Sequence, residues 1–120
     1  MITQPTPTTV AYRSAVATAA AGGAPIAPLA WMAFGESADP YSPDTDAALH
    51  AEFARVPLVV TVQGPNVIAR GVLTGELAGL RTVREAGVFT ANGVLAGRRT
   101  LAPKELERDT ELEIEIHFAY

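Results

Sequence analysis

The stretch VREAGVFTANGVLAGRRT (residues 83–100) holds two candidate β-strands on either side of a single Asn-Gly pair. Asn-Gly tolerates the two positive φ angles of a type I′ turn, whose twist matches that of the strands it joins. The stretch therefore predicts a β-hairpin with a two-residue loop at Asn92 and Gly93. The register that follows pairs Ala91 with Val94, Phe89 with Ala96, Gly87 with Arg98, and Glu85 with Thr100.

Charged side chains lie close to this turn, and they admit two interpretations. In the predicted register Glu85 is diagonal to Arg98, and Gly87 leaves room for the long arginine side chain. As a sheet contact, the pair is an exposed salt bridge worth a fraction of a kcal/mol. As a reactive group, Glu85 would be a general base tuned by Arg84 and Arg98, but a general base needs a pocket and a positioned substrate. The sequence indicates neither, so we predict no catalytic residue. The candidate structural and interface residues are Arg84, Glu85, Gly87, Phe89, Asn92, Gly93 and Arg98.

The rest of the C-terminal half is also rich in strand patterns. In TELEIEIHFAY (110–120), apolar residues alternate with glutamates and a histidine, which predicts a long strand with one buried and one wet face. VPLVVTV (56–62) and NVIARGVLTG (66–75) are β-branched runs joined by QGP, which predicts a second hairpin. This half therefore favours antiparallel strands linked by tight turns.

The N-terminal half predicts an arm, a helix and an extended segment. Residues 1–8 are polar and proline-rich, and we expect a flexible arm there. Residues 9–21 predict a helix, because Thr8 or Thr9 can cap it and the following Gly-Gly pair ends it. PIAPLAWMAFGE (25–36) predicts an extended segment.

A short second helix is predicted next, with Asp44 or Thr45 as its cap and with Leu49 and Phe53 four residues apart. The whole order predicts an α+β fold, in which an N-terminal helix and this short second helix pack on an antiparallel β-sheet or a small β-sandwich of four to six strands. Residues 9–120 are expected to form one domain after the arm.

The composition excludes several function classes. The 120-residue chain has no cysteine, which excludes disulfides, thiol catalysis and zinc–cysteine sites. Its formal net charge of -4 opposes contact with a phosphate backbone, so we expect no nucleic-acid partner. The N-terminus lacks the basic start of a secretory signal, and glycines and prolines interrupt the apolar residues that follow, so we expect no membrane insertion.

The loop ESADPYSPDTD (36–46) carries four carboxylates. Oxygen-rich loops can hold calcium, but the spacing lacks the order of an EF-hand loop. Turn formation by Asp-Pro and helix capping explain the same residues more simply. His50 and His117 form no recognised ligand or triad motif and are expected to be solvated. We therefore expect no metal and no cofactor.

Glutamates 111, 113 and 115 repeat at every second position of the last predicted strand. Like charges at this spacing favour a solvated face, and on a strand edge they oppose unwanted pairing. The alternative is that they face arginines of a partner or of a neighbouring strand. The candidates for that role are Arg81, Arg84 and Arg99.

Several of these stretches together resemble the N-terminal, tail-proximal region of bacteriophage tail-fibre and tail-collar proteins. The stretches are AAAGGAPI, AFGE, ALHAEFARVPL, VREAGVF followed by NGVL, and ELEIEIHF, and the resemblance covers residues 9–120. Its most specific part is the pattern Arg-Glu-[small]-Gly-[apolar]-Phe, which residues 84–89 match. The resemblance implies a tail-attachment domain without catalysis or cofactor.

The implied function is that of a structural virion protein in a tailed bacteriophage or a related contractile injection particle. It would be a tail, collar or baseplate subunit that attaches fibres or other tail components and forms a homo-oligomer, as a trimer or a ring. It would be assembled in the bacterial host cytoplasm and act in the virion. The alternative is a small β-rich module that binds carbohydrate or a receptor, with Trp31, Tyr41 and Tyr120 as candidate contact residues.

Overall fold

Two antiparallel sheets pack face to face in the computed structural model, which describes residues 4–120. One sheet has the strand order β2-β1-β5-β6, and the other has the order β3-β4-β7. The elements are α1 (Val10–Ala20), β1 (Leu29–Gly35), β2 (Glu52–Pro57), β3 (Val59–Gln63), β4 (Asn66–Thr74), α2 (Gly75–Ala78), β5 (Val83–Thr90), β6 (Leu95–Lys104) and β7 (Glu111–Ala119). The predicted α+β fold is confirmed.

The core lies between the two sheets. Strand β7 alternates as predicted, with Ile114, Ile116 and Phe118 buried on the inner face. Gly71 of β4 allows the sheets to approach closely, because a β-carbon there would lie 2.5 Å from Cβ of Met32 on the opposite sheet. No helix within residues 4–120 is both long enough and apolar enough to cross a membrane.

Helix α1 begins and ends as predicted. The Thr9 hydroxyl accepts a hydrogen bond from the N–H of Tyr12 at 3.1 Å, which caps the helix, and Gly22 at φ +86° follows its end. Tyr12 is the buried residue of the helix, and the hydroxyls of Tyr12 and Tyr120 form a hydrogen bond of 2.5 Å. The helix is therefore attached to the body mainly through its first turn.

The predicted arm lies partly outside the described residues, since these begin at Gln4. Within the described part, the N–H of Thr6 donates to the carbonyl of His117 at 2.7 Å. The hydroxyl of Tyr41 donates to the carbonyl of Pro7 at 2.6 Å. The flexibility of the arm stays a prediction, and these two hydrogen bonds hold its described part to the body.

The position predicted for the second helix is wrong. Residues 44–51 form a loop, and Phe53 belongs to strand β2. The physical reason is that the N–H groups of His50 and Ala51 donate to the carboxylate of Glu85 instead of to helical carbonyls. The second helix is instead α2, a single turn between β4 and β5.

The apolar run at 56–62 is two strands and not one. Strand β2 ends at Pro57, the N–H of Leu58 donates to the carbonyl of Ala30 at 3.1 Å, and β3 begins one residue later in the other sheet. The hairpin predicted at QGP is confirmed, because Gln63 pairs with Asn66.

The register of the 83–100 hairpin is confirmed at its open end and wrong at its turn. Glu85 pairs with Thr100 and Gly87 with Arg98, as predicted, but Phe89 pairs with Leu95 through a bulge. The loop has three residues because the N–H of Thr90 donates to the carbonyl of Val94 at 2.9 Å. Gly93 has φ +88°, and no non-glycine residue among the described ones has a positive φ, so Asn92 does not adopt the type I′ geometry.

Candidate functional site

The carboxylate of Glu85 lies at the centre of a buried polar cluster. Glu85 is fully buried on β5, and its oxygens accept four hydrogen bonds. Oε1 accepts from Nε of Arg98 at 2.8 Å and from the N–H of His50 at 2.9 Å. Oε2 accepts from the N–H of Ala51 at 2.7 Å and from the N–H of Ser37 at 3.1 Å. One side chain of the sheet therefore holds both ends of the loop 36–51.

Arg98 lies on the neighbouring strand β6 and is also fully buried. Besides its bond to Glu85, its Nη1 lies 3.7 Å from Oδ2 of Asp46, whose side chain is 9 % exposed. Its Nη2 lies 3.5 Å from the carbonyl oxygen of Ser37. The guanidinium is therefore placed between two carboxylates, which is the compensation that a buried charge requires.

Opposing effects set the pKa of the Glu85 carboxyl. Burial on its own raises the pKa, because it disfavours the charged form. The hydrogen bonds from Arg98 and from the N–H groups of His50, Ser37 and Ala51 favour the charged form and outweigh burial, so the pKa lies below its ordinary value. Glu85 is therefore an anion with all of its hydrogen-bonding positions directed at the protein, which suits an anchor rather than a proton acceptor.

His50 extends the cluster toward the surface. Its Nδ1 lies 2.9 Å from Oδ2 of Asp39, and its Nε2 lies 3.0 Å from Oδ1 of Asp46. The hydrogen bonds to Asp39 and Asp46 raise the pKa of the imidazole, and burial and the charge of Arg98 oppose them. The pKa of Asp39 is lowered, mainly by the hydrogen bond from His50. The histidine expected to be solvated is thus held between two acids of the loop.

Space for the Glu85 carboxylate comes from a glycine that sequence reasoning missed. A β-carbon on Gly35 would collide with Oε2 of Glu85 and would lie 2.7 Å from the carbonyl oxygen of Ala51. Gly87 makes room for Leu49, because a β-carbon there would meet Cδ2 of Leu49 at 2.8 Å. Its predicted role of giving room to Arg98 stays a prediction. The sequence signal that could have pointed to Gly35 is its position at the end of the apolar run AWMAFG.

The structure brings together only part of the predicted hairpin set. Arg84 lies on the opposite face of β5 from Glu85, and its guanidinium approaches the carbonyl of Glu36 at 3.5 Å. Phe89 is buried, with the guanidinium of Arg55 4.1 Å above its ring. Asn92 and Gly93 lie in the turn at the far end of the hairpin. The predicted contact between Glu85 and Arg98 is confirmed. The predicted exposure of this pair is wrong, because both side chains are fully buried.

The acidic loop folds around basic groups. Among residues 4–120, no set of three or more histidine, aspartate or glutamate side chains is arranged to hold a metal ion. Asp46 accepts from the N–H of Ser42 at 3.0 Å, as a turn residue does, and Asp44 lies 3.5 Å from the guanidinium of Arg13. The turn of this loop lies at residues 43–45 and not at the predicted Asp39-Pro40, and the predicted helix capping is wrong because no helix begins there.

The glutamates of β7 meet an arginine of the adjacent strand, but not a predicted one. Arg70 of β4 lies 3.3 Å from a carboxylate oxygen of Glu113 and 3.9 Å from one of Glu115. Arg99, a predicted candidate, donates instead to the backbone carbonyl of Glu115 at 3.0 Å. Arg81 lies over the ring of Phe53.

The three aromatic residues considered for carbohydrate binding each have different surroundings in the structure. Trp31 is 38 % exposed on β1. Tyr41 donates to the backbone of the arm, and Tyr120 meets the ring of Tyr12 edge to face at a centroid distance of 6.2 Å.

The fold and this site define a small α+β domain with two sheets and a buried ionic centre. Comparisons of the chain with protein-family models, with curated proteins and with solved structures find no match.

Proposed function

We propose that the chain is a structural protein of a tailed-phage virion or of a related contractile injection particle. In this role it is a tail, collar or baseplate subunit that attaches fibres or other tail components through protein–protein contacts. Its partners are other tail proteins and further copies of the chain.

The observation that carries this proposal is the position of the residues that bear the resemblance. Residues 84–89 form the central part of β5, which is bonded to β1 on one side and to β6 on the other. Within them, Glu85 holds the loop 36–51, and Phe89 belongs to a buried cluster with Leu49 and Leu95. The most specific part of the resemblance is therefore made of residues that hold the fold together.

The organisation of the site suits an attachment role. An attachment domain transmits position and load, so it needs loops that keep one geometry. Four hydrogen bonds on one buried carboxylate give the loop 36–51 that property, because three of them fix backbone N–H groups of the loop to a single point on the sheet. Alanine is the commonest residue of α1, at five of its eleven positions, and its small side chain lets a neighbouring subunit approach closely.

The experiment that tests the proposal is localisation on the native particle. Antibody raised against the purified chain and visualised with colloidal gold is applied to tailed particles produced by the source. We expect gold at the tail, collar or baseplate, and we expect it to disappear when the antibody is first absorbed with the chain. Purified particles without gold and without peptides of this chain in mass spectrometry would refute the proposal.

A further inference from the structure

Strand β3 presents a bare edge and apolar side chains to solvent. All five of its residues are exposed, including Val59, Val60 and Val62 at 60 %, 40 % and 65 %. Among the described residues, β4 is the only strand that pairs with it. Gln63 and Asn66 flank a two-residue loop and form a hydrogen-bonded pair. Because hydrogen-bonded pairs alternate along an antiparallel ladder, the N–H and C=O groups of Val59, Thr61 and Gln63 point to β4. Val60 and Val62 therefore turn their N–H and C=O groups outward.

The other three sheet edges carry features that oppose pairing with another chain. The N–H of Thr6 and the guanidinium of Arg99 donate to outward carbonyls of β7. The backbone and the hydroxyl of Thr9 donate to two carbonyls of β6. Strand β2 carries the charged pair Glu52 and Arg55 and ends in proline. Covering contacts, charges and proline are the usual protection of strand edges, and β3 has none of these among residues 4–120.

The β3 segment is also compatible with a copy of itself. Residues 57–69 contain no charged side chain, so a two-fold contact there opposes no like charges. Placing Thr61 opposite Thr61 of a second copy pairs Val60 with Val62 in both directions. Because these two residues carry the outward backbone groups, this register forms four new backbone hydrogen bonds.

The same register extends the apolar inner face of the sheet. Val60 and Val62 lie opposite Ala69 and Val67 on β4, and Ala69 is fully buried. Their side chains therefore continue the inner face beyond the cover of the other sheet. In the two-fold pair the valines of both copies adjoin across the dyad, which covers apolar surface that the single chain exposes.

We propose that β3 is a self-association edge, through which two copies of this chain join antiparallel about Thr61 into one six-stranded sheet. The occupant is a second copy that offers its own β3, because β7 and β6 each have two backbone carbonyls that already accept hydrogen bonds from within the chain. The contact is isologous and closes at two copies. It does not depend on the attachment role proposed above.

The mass of the full chain tests this. Light scattering after gel filtration, over a series of concentrations, is expected to give twice the chain mass of 12.6 kDa. T61K and T61E are each expected to give half the mass of the wild type, because like charges then face each other across the dyad. Mixing the two variants is expected to restore the dimer. V72K, which adds the same charge to an exposed position of β4 away from the edge, is the matched control and keeps the wild-type mass.

Single cysteines test the register, since the chain has none of its own. Residues 61 of the two copies form a non-hydrogen-bonded pair with Cα atoms about 4.5 Å apart, within the disulfide range of about 4.4–6.8 Å. T61C is therefore expected to form a disulfide-linked dimer under mild oxidation. V59C is the control, because the two copies of residue 59 are offset by four residues, or about 14 Å. V59C mixed with Q63C is expected to cross-link, while each alone is not.

A wild-type chain that stays monomeric up to its solubility limit would overturn the proposal. So would an oligomer whose mass T61K leaves unchanged, or T61C and V59C variants that cross-link equally, because the contact would then lie elsewhere. The gold-labelling result on particles is independent of these outcomes, so the self-association and the tail role can fail separately. Circular dichroism of T61K that matches the wild type shows that a halved mass reflects lost association and not unfolding.

Discussion

Replacing Glu85 by alanine is expected to destabilise the fold more than any exposed charge substitution does. The change leaves Arg98 fully buried beside Asp46 alone, at 3.7 Å, and removes the acceptor of three backbone N–H groups. Breaking a buried ion pair by removing one partner costs about 3–5 kcal/mol. We expect a loss of about 4 kcal/mol, a large part of the total stability of a domain of this size.

Urea unfolding followed by fluorescence measures this loss. Trp31, the only tryptophan, lies on β1 next to β5 and reports the environment of this sheet. With an m-value of about 1.5 kcal/mol/M, the urea midpoint falls by about 2.7 M. Glu113→Ala is the control, since its ion pair with Arg70 is half-exposed and contributes at most about 1 kcal/mol. Equal midpoints for the two variants would refute the claim that the buried pair anchors the loop.

Further expectations concern two glycines, Gly35 and Gly93, and the pH dependence that His50 and Glu85 give to stability. Gly35→Ala places a methyl group against Glu85 and 2.7 Å from the carbonyl of Ala51, and is expected to cost about 3 kcal/mol in urea unfolding; an unchanged midpoint would contradict this. Gly93→Ala at φ +88° meets no neighbour, so only backbone strain of about 1–2 kcal/mol is expected, and a larger loss would mean that the turn has been described wrongly. Because the folded-state pKa of His50 is raised, the stability it contributes is full below about pH 6.5 and is lost as the pH rises through the folded value. The pKa of Glu85 is lowered, so its contribution is lost as the pH falls from 4.5 through the folded value. In pH-dependent unfolding His50→Gln should flatten the alkaline side only, and a variant with the wild-type profile would disprove the assignment.

Patterns that depend on nearby residues could be predicted from the sequence. Strand β7 follows from strict alternation, and the hairpin of β5 and β6 follows from Asn-Gly between β-prone runs. The contact of Glu85 with Arg98 follows from that register alone. The three-residue loop could not be inferred as easily, because Asn-Gly also suits a type I turn followed by a glycine bulge, and Thr90 decides between them.

Features that depend on distant residues could not be predicted. The burial of Glu85 depends on Ser37, His50 and Ala51, which lie 34 to 48 positions away. The same contacts abolish the predicted helix near Leu49, since N–H groups that bond a carboxylate are not available to a helix. Helix propensity depends on neighbouring residues, whereas the conformation of this loop is set by hydrogen bonds to a buried carboxylate that is distant in the sequence.

The backbone of the loop explains why position 85 is acidic. Three N–H groups, from Ser37, His50 and Ala51, converge on one point beneath the loop, and an apolar side chain there would leave all three unsatisfied. A carboxylate can accept them all and still bond a cation, whereas an amide would direct its own N–H₂ group at one of the donors. The carboxylate in turn requires a buried cation, and a planar arginine from the next strand can bond Glu85 while it also faces Asp46. The ion pair is thus a consequence of folding the loop across the sheet. Replacing Glu85 and Arg98 by apolar residues of similar volume would leave the three loop N–H groups without an acceptor, so the loop would lose its conformation.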